Sequence, residues 1–176
     1  MAGLAAIFGS GAMTNSIREI EGMEIIFIIG SNTKEAHPVI ADRMIKAYRK
    51  GARIIVADPR TVPMVKFAET YLKLRPGTDI ALLNGMAHVI VKEGLQNDEF
   101  IREKTEGFDA WKRSLEEFTP EQAEQITGVP KADIIKAAKM YGRSRKAGIF
   151  YTMGITQHTC GTDNVRAIAN LATLTG

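Results

Sequence analysis

Apolar residues in this chain fall into two alternating patterns, unbroken runs and helical spacing. Glu24 to Ile29 reads EIIFII and closes at Gly30, and such a run without polar alternation predicts a strand buried on both faces. A polar loop follows. Pro38 then stands at a first helical position, with Val39, Ile40, Met44, Ile45 and Tyr48 at helical spacing and Gly51 as a stop. Arg53 to Ala57 (RIIVA) predicts a second buried strand, ended by Asp58-Pro59-Arg60. Two buried strands with a helix between them form a βαβ unit, which implies parallel pairing.

Tyr71 to Leu74 predicts a shorter third strand. Arg75-Pro76-Gly77-Thr78 turns the chain, and Thr78 is placed to cap a helix from Asp79 to Lys92 with Ile80, Leu83, Ala87 and Ile90 along one side. Residues 95–141 hold no strand pattern. Their short helical stretches, with starts at Thr119-Pro120 and Val129-Pro130, predict a helical insertion packed beside the sheet. Gly148 to Thr152 (GIFYT) predicts a fourth strand and Asp163 to Leu174 a final helix. The expected fold class is α/β, a doubly wound, mostly parallel sheet covered by helices, in one domain over residues 1–176.

Composition narrows the function. At 176 residues and 19.3 kDa, with 45% hydrophobic residues, the chain is long enough for one core of its own. Its net charge of +3 is spread among the acids without a basic block, which argues against a nucleic-acid partner. The apolar runs are strand-sized, far short of the roughly 20 residues that span a bilayer, so no membrane insertion is expected. The apolar first dozen residues lack a basic start, so any targeting signal is expected outside this chain. Cys160, the lone cysteine, can form no internal disulfide and cannot supply the thiolates of an iron–sulfur cluster, and a reducing, cytoplasmic setting is the default.

Ligands of open parallel sheets collect beyond the carboxyl ends of the strands, where loops and helix N-termini converge. Four predicted loops lie there: Gly30 to Pro38, Asp58 to Arg60, Arg75 to Asp79, and Met153 to His158. Asp58 stands where dinucleotide folds set a carboxylate against ribose hydroxyls or a base edge, with Arg60 as a phosphate partner; the other reading is a cap on its own turn. Gly30-Ser31-Asn32-Thr33 lacks the G-x-G-x-x-G pattern of ordinary NAD sites, which favours another nucleotide held by polar side chains. His37 and His88 read as structural. His158 and Cys160 suggest a Cys/His nucleophile but have no third, orienting group, so the preferred reading is a loop that wraps a ligand, with Gly154 and Gly161 allowing close approach.

The segments GSGAMTNSIREIE, FIIGSNTKEAHPVIA, GARIIVADPRTV, TEGF, TMGITQHTCG and NVRAIANLATLTG, in this order and spacing, closely resemble the molybdopterin oxidoreductases, and among them the catalytic subunits of formate dehydrogenases. The match runs nearly end to end. It implies a Rossmann-like domain of a larger enzyme that holds molybdenum or tungsten between two molybdopterin guanine dinucleotides. By the resemblance, the cofactor contacts fall on Ser31, Asn32 and Glu35, on Asp58 and Arg60, and on Leu74, Gly77 and Asp79, while Met153, Gly154 and Gln157 approach the pterin. The family often carries Asp at the position of Glu35 and Asn at that of Asp79. The resemblance also implies no catalytic residue or metal ligand in this chain, since the metal-binding Cys or selenocysteine precedes it, an arginine follows it, and the iron–sulfur site lies elsewhere in the parent. The implied partners are the remaining domains of that subunit and its electron-transfer subunits, in the cytoplasm, or in the periplasm if the parent carries an export signal. Three alternatives stay open: another molybdopterin enzyme such as a nitrate reductase, an NAD-type binding module, and a scaffold that binds no nucleotide.

Overall fold

A computed structural model describes all residues 1–176. Four strands form one sheet: β1 (Ile25–Ile29), β2 (Arg53–Ala57), β3 (Ala68–Leu72) and β4 (Ala147–Tyr151). They lie in the order β3-β2-β1-β4, and every neighbouring pair is parallel. The ten α-helices are α1 (Ala2–Phe8), α2 (Thr33–Ala36), α3 (Pro38–Arg49), α4 (Asp79–Lys92), α5 (Asp98–Lys104), α6 (Phe108–Ser114), α7 (Pro120–Thr127), α8 (Lys131–Gly142), α9 (Met153–Thr156) and α10 (Gly161–Thr175). The doubly wound α/β class expected from the apolar pattern is the class observed.

β1 is buried on both faces because alternate side chains enter two separate cores. Ile26 and Ile28 join Ile54, Val56 and Met64 under Ala41, Met44 and Ala47 of α3. Ile25, Phe27 and Ile29 face the larger core, built from α4, α7, α8 and α10. The chain therefore leaves β1 toward one face and β4 toward the other, and the strand order reverses between β1 and β4.

Two expectations need correction. The third strand runs from Ala68 to Leu72 rather than Tyr71 to Leu74; Ala68 pairs with Ile54 through an irregularity, and past Leu72 the chain turns, Arg75 donating its amide to the Thr127 carbonyl. Thr78 does not cap α4, because its hydroxyl donates to the Arg75 carbonyl at 2.7 Å and closes the preceding turn. The segment 95–141 is helical and packs beside the sheet as expected: Ile134, Ala137, Ala138 and Tyr141 of α8 lie in the main core, with the Tyr141 ring edge-on to Phe27 at 6.3 Å. Smaller shifts occur at β4, which starts and ends one residue early, and at α10, which begins at Gly161.

Candidate functional site at the carboxyl ends of the strands

The loops after β1 and β4 meet at the point where the sheet order reverses. Gly30 takes φ +56° at the end of β1, and its carbonyl accepts from the Gly154 amide (3.1 Å) and from the Thr152 hydroxyl (3.0 Å). A Cβ on Gly30 would stand 2.8 Å from the Gly154 carbonyl carbon, and one on Gly154 would overlap the Gly30 carbonyl oxygen. Both glycines are thus required by the chain's own close approach. Gly161 is likewise packed on the Thr156 carbonyl, so the close approach expected at Gly154 and Gly161 is made by the chain's own backbone.

Beyond Gly30 the first loop is polar, buried at Ser31 and Thr33 and exposed from Lys34 onward. The hydroxyls of Ser31 and Thr33 lie 2.8 Å apart, both residues nearly inaccessible. The Asn32 amide donates to Glu35 at 2.6 Å, while its Oδ1 is buried with no hydrogen-bond partner. An orphaned acceptor of this kind costs about 1–3 kcal/mol unless a ligand supplies the donor. Glu35 therefore orients Asn32 from an exposed position.

Asp58 ends β2 at 3% exposure, and its Oδ1 accepts from the Arg60 backbone amide at 2.8 Å, which is the turn cap considered from sequence. The Arg60 Nε lies 3.7 Å from the same oxygen, with the rest of that side chain in solvent. Tyr71 donates its hydroxyl to the Asp58 carbonyl at 3.1 Å, fixing this turn to β3. In the third loop Leu74 is buried, Gly77 takes φ +79° in the open, and Asp79 opens α4 at 5% exposure. Burial pushes the Asp79 carboxyl above its ordinary range; its own backbone amide and the field of His158 partly oppose this, and the Asp58 carboxylate adds to it. The second, third and fourth loops are near enough to act on one another.

The fourth loop is held from below. The Asn164 amide, on α10, donates to the Ile155 carbonyl at 3.0 Å, and the His158 Nε2 donates to the Gly154 carbonyl at 2.8 Å. Gln157 folds back on the Met153 sulfur at 3.3 Å, leaving Met153 exposed. Cys160 donates weakly to Asn164, so His158 and Cys160 have separate partners and form no nucleophile pair. The supports Thr152, Tyr71 and Asn164 escaped the sequence reading. Asn164 left a trace there, as a polar residue on the apolar side of the last helix.

A cleft of about 460 Å³ lies at the opposite, amino end of the sheet among Lys50, Arg53 and Arg143. α3 and α8 present their carboxyl ends there and so offer no unpaired amides. The four-loop end carries the buried, unpartnered Asn32 Oδ1 and is the stronger ligand site.

Comparison with known proteins places the chain in a family. Residues 5–176 match the molybdopterin oxidoreductase family model. The chain is 54% identical over 174 residues to the F420-dependent formate dehydrogenase 1 subunit alpha of Methanococcus maripaludis, covering 99% of this chain and 26% of that protein. It is 43% identical over 176 residues to formate dehydrogenase H of Escherichia coli, covering all of this chain and 25% of the relative. Acetylene hydratase from Pelobacter acetylenicus superposes on 91% of this chain and 24% of its own with a TM-score of 0.83 at 26% identity. This chain thus spans about a quarter of the relatives it matches, and over nearly its whole length it belongs to the molybdopterin oxidoreductase family.

Proposed function

We propose that this chain is the domain of a formate dehydrogenase catalytic subunit that binds one molybdopterin guanine dinucleotide. Family membership and the formate dehydrogenase names of its relatives support the reading. The observation that carries it is the buried, unpaired Asn32 Oδ1, just beyond the end of β1, the strand beside which the sheet order reverses. Between the buried Ser31 and Thr33, such an acceptor fits a ligand that donates hydrogen bonds, as guanine and ribose both do.

In this proposal the first loop contributes Ser31 and Asn32, with Glu35 orienting the latter. Asp58 accepts from the base or ribose, and Arg60, free to swing, neutralises phosphate. Leu74, Gly77 and Asp79 flank the same nucleotide; Gly77, lacking a side chain, lets it pass close to the backbone. Met153, Gly154 and Gln157 lie toward the pterin. Molybdenum or tungsten in such a cofactor supplies the two-electron chemistry that takes formate to carbon dioxide. The residues of this chain bind and orient, while the metal ligand, any iron–sulfur cluster and the electron-transfer partners belong to other parts of the parent enzyme. No helix here is long and apolar enough to cross a membrane.

Calorimetric titration with GDP tests the proposal. GDP binds the wild-type chain, and Asp58→Ala weakens binding about tenfold or more, the loss expected when a charged acceptor is removed. Equal affinity in the two proteins removes Asp58 from the site. Tight NAD binding with no response to GDP favours the NAD-type module instead.

A further inference from the structure

Asp79 is a buried acid without a counterpart. The residue is 5% exposed, yet its carboxyl group takes no hydrogen bond from another side chain and no cation lies within ion-pair distance. Arg75, the nearest arginine in sequence, donates to the carbonyls of Gln125 and Ile126 instead. The charged groups that face Asp79 are Asp58, from the loop after β2, and His158, from the loop after β4, while its own helix offers one amide. His158 already donates its Nε2 proton to Gly154. Asp58, by contrast, has the Arg60 amide and guanidinium beside it, the partners expected of an ionised carboxylate.

An anionic nucleotide in this site sets further negative charge beside two buried carboxyl groups, one of them already provided with donors. Like charges brought together at partly buried groups disfavour one another's ionised form, and the group with the fewest donors gives way first. We infer, on the nucleotide-binding reading above, that Asp79 becomes neutral as the nucleotide seats, taking one proton from solvent and presenting its carboxyl O–H to the ligand as a donor. On this inference an Asn at this position would offer the ligand a similar donor without the proton.

The test is titration of the full 176-residue chain with GDP in buffers of different ionisation enthalpy, beside Asp79→Asn. The wild type takes up about one proton per GDP more than the variant, and its affinity relative to the variant falls with rising pH by up to about tenfold per unit. Comparing the two proteins cancels the titration of GDP itself. Equal proton uptake in both overturns the inference, as does a variant that binds tenfold more weakly, which would make Asp79 an anionic acceptor. Failure of both proteins to bind GDP sinks the nucleotide reading, and this inference with it.

Thermal unfolding gives a readout without ligand. Because the folded state holds the Asp79 proton to higher pH than the unfolded chain, ionising it lowers stability as pH rises through the folded value. Asp79→Asn therefore melts higher than wild type at neutral pH, and the gap closes as pH falls into the ordinary carboxylate range. A variant that melts no higher at neutral pH contradicts the burial of an unpaired charge.

Discussion

Gly30 and Gly154 show how much of the site rests on two missing side chains. The Gly30 carbonyl receives an amide and a hydroxyl from a segment 122 residues away in sequence, and the two backbones approach too closely for a Cβ on either. Gly154→Ala forces its methyl group into the Gly30 carbonyl and should cost about 2 kcal/mol or more, measured by urea unfolding, since neither backbone can yield without breaking the hydrogen bonds that join the loops. A loss below about 0.5 kcal/mol, the scale of an ordinary surface change, would mean the loops do not meet as described. Sequence alone marked Gly154 as permissive for a ligand; its partner lies on a distant strand, so spacing could not reveal it.

Among the elements, those with uninterrupted apolar signals were read almost to the residue. β1 and β2 are runs flanked by polar turns, and α4 was bounded correctly at both ends. β3 was misplaced because Glu69 and Thr70 interrupt its apolar pattern; Thr70 is nonetheless buried, its hydroxyl directed at the Met140 sulfur at 3.5 Å, a tertiary contact with no local signal. α1 was not read as a helix, since its one buried residue is Gly3, a poor helix former that admits the close approach of α10. The site loops were legible because strand ends fix them, whereas the supports Tyr71 and Asn164 depend on packing. α3 allows a direct check of its assigned face. Met44 is fully buried and Val39 is 67% exposed, so Met44→Ala should lower unfolding free energy by about 2–5 kcal/mol and Val39→Ala by under about 0.5. Similar losses at both positions would place α3 in the wrong rotation on the sheet.

At the scale of the whole molecule, the strand order β3-β2-β1-β4 gives the sheet two unlike ends. At the amino end, Lys50, Arg53 and Arg143 border a cleft together with Glu21 and Glu24, and the basic last turn of α3 is already matched to its dipole. At the carboxyl end lie the four loops, with the unpaired Asn32 Oδ1 in the first of them and the order reversal beside it, and this arrangement is the basis for reading the chain as the nucleotide-binding part of a larger molybdopterin enzyme. The most direct measurement is an amide chemical-shift titration of the chain with GDP. Shifts should concentrate in residues 30–35, 58–60, 74–79 and 153–158 together, saturating with a single affinity. Shifts confined to the cleft around Lys50, Arg53 and Arg143, or divided among the four loops with unrelated affinities, would contradict the account.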